Sequence, residues 1–574
     1  MYDFLKEDEF EEPEESLNSD RTQSKSERSQ IHNVPKTIDE IRLSRFLCLG
    51  TESGTYHTDE IELTCRENVG CIDRLINKGE GLKVVETIRE FSIEGKACKA
   101  TPIIFALSIC CRCNDHKTKD AAYKILSDVC RIPTHLFEFI KYCQDVNPNG
   151  DGWGRAHRKG VSMWYENYRN RKGGIPLLAF HMTKYKSRFG FTHRDVFRLC
   201  HIKTDNDALG YLVYHFCRNQ NQTDINWSEH LELAKQKEGF EQSELAEVID
   251  LLQVFDDAKN CHDEEMMKRM ILEHHPYLVR EHVPTELLNS KKVWEALMRF
   301  MPMTAMIRNL GKMSSLDLLE SDSFGEGLTV DKLTSKELLK TAMVHPITLL
   351  VAKKAYSKGQ SESKKQRLNW QVNPKVRDAL KEAFYVTINH VETTGKRYLL
   401  AICMNGSVNE HEKRTPILTA RDVAAAMAMV TGRREQYCDV VAFSGNRLTE
   451  YINIREVSIP NQDNFEALSE KISQMQFDSL DCAAPILDAI QNKKMYDVFV
   501  VYTDSEMNVG PILPSEALKR YRTASGITDA RLIVCGLANN GLSIAEPDDP
   551  LMMDIVGFDS GAPAAIHQFV TGNI

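Results

Sequence analysis

The hydrophobic pattern of this 574-residue chain changes at about residue 381, and that change constrains the fold more than any other feature. Between residues 38 and 381, apolar residues recur with a helical period in many segments, such as 81–94, 134–143 and 291–300. Short links that contain Gly, Pro or Asn join these segments. Because amphipathic helices with short links pack against their neighbours, this region is predicted to be an irregular α-helical repeat array.

Beyond residue 381, short apolar runs rich in Val and Ile replace the helical period. Stretches of helical pattern separate these runs from one another. Nearly continuous apolar strands that alternate with helices predict a doubly wound α/β domain with a parallel sheet covered on both faces. Such a fold places ligands at the carboxyl ends of its strands. The runs are 397–404 (RYLLAICM), 439–443 (DVVAF), 497–503 (DVFVVYT) and 530–537 (ARLIVCGL).

Composition divides the chain into three regions. The first twenty residues contain nine acids and one Lys, so residues 1–36 are predicted to be a disordered acidic tail. The α-helical region is assigned to 37–381 and the α/β region to 382–574. Within the helical region, 314–334 and 357–368 are expected to be exposed loops, and the second of these is rich in Lys and Ser.

The sequence predicts an intracellular protein. No apolar run approaches the roughly eighteen residues of a membrane span, and the N-terminus is acidic where a signal peptide would be basic. The sixteen Cys residues show no regular spacing, which favours reduced thiols. A cytoplasmic location, together with a nuclear pool, is therefore expected.

A strongly basic segment, residues 153–203, stands out in a chain whose formal charge is −10. This segment, called the basic island below, carries twelve Lys and Arg residues against two acids, Glu166 and Asp195. Nine aromatic residues are interleaved with the charges, as expected for helices that pack on one face and present cations on the other.

Spacing arranges the candidate ligand-binding residues of the basic island in three predicted helical stripes. The first lies on a helix over 153–168, and the second lies on a helix that follows Pro176. Thr192 and Asp195 predict a capping box that begins the third helix. The stripes are Arg155, Arg158 and Lys159; Lys184 and Arg188, with Lys186 between them; and Arg194, Arg198 and His201.

Three cationic stripes predict a site for a polyanion. Neutralising several phosphates releases counterions and gives strong, salt-dependent binding to nucleic acid. The spacing does not distinguish DNA from RNA, and a solvated basic surface is the alternative interpretation.

The sequence contains no motif for phosphate-cofactor binding or nucleophilic catalysis. There is no GxGxxG after a strand, no P-loop ending in Gly-Lys-Ser/Thr and no GxSxG nucleophile elbow. A protein without enzymatic activity is therefore expected. The loops at the predicted strand ends read CMNGS at 403–407 and TDSE at 503–506.

These strand-end loops are similar to the metal-ion-dependent adhesion site of von Willebrand factor A domains. That site consists of a D-x-S-x-S loop, a later Thr, and a strand that closes in T-D. Combined with the preceding helical array, the chain resembles the Ro (SS-A) ribonucleoprotein family, whose helical part is called the TROVE module. The resemblance runs from about residue 38 to the C-terminus, and strings at 43–56 (LSRFLCLGTESGTY), 153–165 (WGRAHRKGVSMWY), 532–541 (LIVCGLANNG) and 544–558 (IAEPDDPLMMDIVGF) carry it.

The resemblance implies an all-α, HEAT-like helical-repeat ring followed by a Rossmann-like von Willebrand factor A domain. In this family Y RNAs bind the outer surface, and the ends of misfolded noncoding RNAs, such as ribosomal RNA precursors, enter the central hole. It implies contact with Y RNA at Lys184, Arg188 and His201. It also implies a monomer that acts in noncoding-RNA quality control and ribonucleoprotein assembly, with protein partners at the von Willebrand A surface. A protein-assembly scaffold without a role for RNA is the alternative.

The metal site departs from the family pattern, in which it holds Mg²⁺. Cys403, Asn405 and Leu480 stand at three ligand positions, and only Ser407 and Asp504 match the pattern. Mg²⁺ requires hard oxygen ligands, which a thiol and an aliphatic side chain do not provide. The sequence therefore predicts weak binding of divalent cations or none, and no cofactor is expected.

Overall fold

The computed structural model of the protein divides into two compact units. It describes residues 36–57, 66–147, 150, 152–217, 232–236, 239–361, 367–403, 417–445, 452–459, 464–474, 481–503, 510–537, 544–546 and 549–574. The helical unit comprises Gly70–Lys96 and Ala100–Phe300. The sheet unit comprises Met1–Val69, Ala97–Lys99 and Met301–Ile574. Helices and strands are numbered below in chain order, beginning with α1 (Ile38–Leu49) and β1 (Thr55–His57), which belong to the sheet unit.

The helical unit consists of short amphipathic helices, as the sequence predicts. In α7, Pro133 occupies the first turn, and the buried residues Leu136, Ile140 and Cys143 recur at helical spacing. None of the helices in the described ranges is long and apolar enough to cross a bilayer. The helices are α2 Cys71–Asn77, α3 Gly81–Ile93, α4 Ala100–Arg112, α5 His116–Lys124, α6 Leu126–Val129, α7 Pro133–Asp145, α8 Arg155–Glu166, α9 Gly174–Lys184, α10 His193–Cys200, α11 Asp207–Cys217, α12 Glu244–Lys259, α13 Glu264–Glu273 and α14 Lys291–Phe300. A two-stranded hairpin, β2 (Ser187–Arg188) and β3 (Phe191–Thr192), lies between α9 and α10.

The sheet unit contains a seven-stranded sheet in the order β1-β9-β8-β7-β4-β5-β6. All neighbouring strands are parallel except β5 and β6, which pair antiparallel at one edge. The four apolar runs form central strands, and the predicted doubly wound fold is confirmed. The strands are β4 Arg397–Cys403, β5 Tyr437–Gly445, β6 Ile452–Glu456, β7 Val498–Thr503, β8 Arg531–Gly536 and β9 Met552–Val556. The helices are α15 Met303–Ser315, α16 Phe324–Thr334, α17 Lys336–Thr341, α18 Pro346–Ser357, α19 Pro374–Ile388, α20 Ala420–Arg434, α21 Phe465–Ser473, α22 Ala484–Gln491, α23 Pro514–Ser525 and α24 Ala562–Val570.

The outermost parallel strand of this sheet comes from the beginning of the chain. Thr55 and His57 of β1 pair with Asp554 and Val556 of β9. Nearby, the guanidinium of Arg45, which is 2 % exposed, donates to the carbonyl oxygens of Asp549 and Met552, each at 3.2 Å. These buried donor–acceptor pairs hold the N-terminal segment against the C-terminal strand, although about five hundred residues separate them.

The expectation of an exposed loop over 314–334 is wrong. Residues 324–334 form α16, and the hydroxyl of Ser323, which caps its N-terminus, accepts from the Glu326 amide. Glu326 is only 4 % exposed, and its carboxylate accepts a 2.7 Å hydrogen bond from the Asn373 amide group and a 3.0 Å ion pair from Lys375. A polar sequence is ordered here because distant side chains satisfy its buried carboxylate.

Replacing Asn373 by Ala is expected to destabilise the sheet unit by about 2–3 kcal/mol. The substitution removes the Asn373 donors to Glu326 and to the Leu319 carbonyl, and it removes the side-chain oxygen that caps α19 at the Lys375 amide. Urea unfolding followed by circular dichroism measures the change. Lys375→Ala serves as the comparison, because this exposed side chain should contribute less than about 1 kcal/mol; equal losses in the two variants would contradict the argument.

Candidate nucleic-acid interface

The first predicted cationic stripe lies on one helix, as expected. Helix α8 spans Arg155–Glu166, and Arg155, Arg158 and Lys159 are exposed on it. His157 and Trp164 are buried on the opposite face, at 1 % and 0 % exposure. The division follows from the 3.6-residue period, which places apolar and charged residues of this helix on different sides.

The second predicted stripe does not lie on a helix, and this part of the prediction is wrong. Helix α9 ends at Lys184, and Arg188 lies in β2 of the hairpin, where it pairs with Phe191. The carbonyl of Tyr185 accepts a 3.1 Å hydrogen bond from Nε2 of His193. The carbonyl that follows the last residue of α9 is therefore bonded to the His193 side chain. After it the chain forms the β2–β3 hairpin.

The third stripe begins as predicted but is shorter. Thr192 and Asp195 form the capping box, in which the Thr192 amide donates to the Asp195 carboxylate at 3.0 Å. Helix α10 ends at Cys200, and His201 occupies its C-cap with a positive φ of 51° rather than continuing the helical stripe. Arg198 is exposed and Arg194 is half-buried. Leu199, which follows Arg198 on the same helix, is 37 % exposed.

Both acids of the basic island are engaged within it. Asp195 closes the capping box, and Glu166 lies 3.5 Å from the guanidinium of Arg169. Arg169 also forms a 2.9 Å ion pair with Asp205, so its charge is compensated. Arg171 donates to the Arg131 carbonyl at 2.6 Å and lies over the Tyr168 ring. The charges of these two arginines are therefore used in contacts with neighbouring residues of the helical unit.

Aromatic rings hold the cations around the hairpin. The Lys184 ammonium lies 5.2 Å from the centroid of the Tyr185 ring and 5.7 Å from that of Phe180. Burial, together with the charges of Lys186 and then Lys184, lowers the pKa of His282 to about 3. Although the two lysines do not share a helix with Arg188, their charges act on one buried histidine.

A layer of buried and half-buried histidines and tyrosines lies beneath the cationic helices and hairpin, and the sequence did not reveal it. The Tyr165 hydroxyl lies 3.0 Å from Nδ1 of His193, the Tyr168 hydroxyl 2.9 Å from Nδ1 of His181, and the Tyr123 hydroxyl 3.1 Å from Nδ1 of His157. The Tyr185 carbonyl can only accept a hydrogen bond, so Nε2 of His193 donates to it and Nδ1 of His193 accepts from the Tyr165 hydroxyl. The only sequence signal was the interleaving of aromatic residues with His.

Loss of hydration keeps these histidines neutral. Burial lowers the pKa values of His157, His181 and His193 to about 3, and nearby arginines add to the effect at His157 and His181. A neutral imidazole can accept a hydrogen bond from the tyrosine hydroxyl and pack among aromatic rings without an unpaired buried charge.

The strand-end metal position in the sheet unit is described only in part. Cys403 is the last residue of β4, is fully buried, and lies in register with Thr503 of β7. Asp481 is 7 % exposed, and its carboxylate accepts from the Ala483 amide at 3.0 Å. Asn405, Ser407, Leu480 and Asp504 lie outside the described residues. Within the described part of the chain, no group of three His, Cys, Asp or Glu side chains is placed to hold a metal ion.

Comparison with known proteins shows similarity over nearly the whole chain. Residues 25–359 match the TROVE domain family, and residues 397–570 match the Ro60 vWA domain family. A Caenorhabditis elegans protein named RNA-binding protein RO60 is 34 % identical, over 96 % of this chain and 92 % of its own length. A Deinococcus radiodurans protein of the same name is 29 % identical, over 97 % and 98 %. The crystal structure of the Deinococcus radiodurans RO (RSR) protein superposes with a TM-score of 0.79 and 28 % identity, covering 93 % of this chain and all of that one.

The buried histidines predict acid sensitivity of the helical unit. Their folded-state pKa values lie below the unfolded value of about 6.5, so the unfolded chain binds more protons and stability is lost as the pH falls below that value. His193→Gln, which retains a donor and an acceptor but does not titrate, should reduce the loss of stability between pH 7 and pH 5 by about 2 kcal/mol. Urea unfolding at both pH values measures this difference, and an unchanged pH dependence would refute the assignment of a neutral, buried His193.

Proposed function

Because the chain belongs to the Ro60 family, with a TROVE domain followed by a Ro60 vWA domain, we propose that it binds RNA through the basic island. The observation that carries this proposal is the excess of surface cations over acids in the island. Arg155, Arg158, Lys159, Lys186 and Arg198 are exposed, while both acids of the segment are engaged in internal contacts. Phosphate groups can compensate such a charge surplus and release their counterions on binding.

The RNA that we propose for this surface is a small, structured noncoding RNA of the Y RNA type. The deep, narrow major groove of A-form RNA excludes side chains, so a basic surface recognises shape, phosphates and unpaired segments. The candidate cations lie on three separate elements, namely α8, the β2–β3 hairpin and α10. Cations distributed over three elements suit the phosphates of a folded RNA better than those of one extended strand. His201 is exposed at the end of α10 and is proposed to contact the same RNA.

The family resemblance extends the proposal to misfolded noncoding RNAs. We propose that their single-stranded 3′ ends, including those of ribosomal RNA precursors, enter the central hole that the resemblance implies. The activity is noncoding-RNA quality control and ribonucleoprotein assembly by a binding protein without catalysis. The names of the two relatives as RNA-binding proteins support this class of function. A cytoplasmic monomer with a nuclear pool, and protein partners at the von Willebrand A surface, complete the proposal.

We also propose that the von Willebrand A domain binds divalent cations weakly or not at all. Cys403, the motif position that the structure describes, does not fit Mg²⁺, because its thiol is fully buried in an apolar cluster that includes Val501 and Cys482. The neighbouring Asp481 carboxylate is occupied by the amide at the start of α22. The domain is then architectural and offers a surface to protein partners.

Replacing Lys184 and Arg188 by Ala is expected to weaken binding of a Y-type RNA about tenfold and to reduce the slope of log affinity against log salt by about 1–2. Fewer counterions are released when fewer phosphate contacts form, so the affinity and the salt slope decrease together. Filter binding at several salt concentrations measures both.

Lys519→Ala with Arg520→Ala is the matched control. It likewise removes one Lys and one Arg charge, but from exposed positions of α23 in the sheet unit, where both side chains are paired with glutamates. RNA affinity and slope should then stay at the unmodified values. If the island variant behaves like this control, the island is not the RNA site, and a scaffold without an RNA role becomes the better proposal.

The metal proposal predicts no heat of binding when Mg²⁺ or Mn²⁺ is titrated into the unmodified protein. The variant with Cys403→Asp, Asn405→Ser and Leu480→Thr restores the oxygen ligands of the family pattern and should bind the ion measurably. Isothermal calorimetry compares the two proteins, and thermal unfolding verifies that the variant is folded. Tight binding by the unmodified protein would reject the proposal.

A further inference from the structure

The turn of the β2–β3 hairpin contains an aromatic residue in a backbone conformation that such residues avoid. Arg188 pairs with Phe191, so Phe189 and Gly190 form a two-residue loop. Both have positive φ values, 50° and 82°, as type I′ hairpin turns require. Asn, Asp and Gly are the usual residues at the first of these positions, because a bulky side chain is strained at positive φ. Phe189 is therefore an outlier whose side chain the turn itself does not require.

The Phe189 ring is also the most accessible aromatic of the basic island. It is 44 % exposed. The other eight aromatic residues of the island, all within the described ranges, are buried or half-buried. The Arg188 guanidinium lies 5.1 Å from the centroid of the Phe189 ring, and the exposed Lys186 is on the same hairpin. An accessible ring thus stands among cations that attract phosphate.

We propose that Phe189 is a stacking site for an unpaired RNA base. The inference rests on the proposed function, because the cations around the hairpin are those that bring the RNA backbone to it. Bases within a duplex already stack on both faces, so the ring selects a base in a loop, bulge or single-stranded end. Aromatic stacking tolerates any base, since every base has a π-face, and a neighbouring guanidinium adds to the contact.

The cations of the β2–β3 hairpin alone would bind double-stranded and single-stranded RNA equally well, because both present phosphates. An exposed ring adds a contact that only an unpaired base can complete. Phe189 therefore gives the basic island a preference for RNA with an unpaired segment, without a sequence preference.

The test uses two RNAs, a blunt-ended duplex without a loop and the same duplex with a single-stranded extension of about ten nucleotides, and the full chain with Phe189→Asn. Asn suits positive φ and removes the ring, so the turn is kept or strengthened. The variant should bind the extended RNA about tenfold more weakly and the blunt duplex with unchanged affinity. The salt slope should stay the same, because no charge is removed.

Phe189→Trp, which keeps an aromatic face, should retain the affinity for the extended RNA. Thermal unfolding of both variants should match or exceed that of the unmodified protein, and a lower unfolding temperature for Phe189→Asn would overturn the argument from the turn. Unchanged binding by Phe189→Asn, with the Lys184 and Arg188 double variant still weak on both RNAs, rejects the stacking site alone. Unchanged binding by all of these variants rejects the proposed RNA site as well.

Discussion

The position of His193 between two hydrogen-bonding partners is the constraint on which the basic surface depends. Its Nδ1 accepts from Tyr165 of α8, its Nε2 donates to the Tyr185 carbonyl after α9, and the residue itself begins α10. One neutral imidazole therefore connects the three elements that carry the cations. Such a bridge requires the uncharged form, because a buried imidazolium would lose its acceptor nitrogen and its hydration. The charged surface thus rests on a layer that must stay neutral.

The island shows how an acidic chain presents a local positive surface. Net charge describes the whole protein, whereas a ligand meets the local arrangement of charges. Asp195 and Glu166 are used for a helix cap and an ion pair, and Arg171 is used against backbone carbonyls and the Tyr168 ring. The remaining cations determine the field at the surface. The proposed RNA site therefore depends on which charged side chains are engaged in internal contacts and which stay available at the surface.

Sequence reasoning was most accurate where the signal was local. The apolar runs at 397–404 and 497–503 became central strands, and the capping box at Thr192 begins α10. It failed where a distant contact decided the outcome. Residues 324–334 form a helix because Asn373 and Lys375 satisfy Glu326, and Arg188 left the predicted helix because the Tyr185 carbonyl pairs with His193. The edge strand at Thr55 was missed because its partner, β9, lies about five hundred residues away.

The sequence by itself determined the order of helical and α/β regions and the residues of the basic island, since periodicity, apolar runs and charge counts are local properties of the chain. The family followed from the resemblance of its motifs and sequence strings to known proteins. Tertiary structure alone decided which cations are compensated, which acids are neutralised, and which aromatic ring is left exposed. Those outcomes depend on pairs such as His193 with Tyr165 and Arg169 with Asp205, whose members are 28 and 36 residues apart. Burial and hydrogen bonding across such distances fix side-chain environments, and no local pattern encodes them.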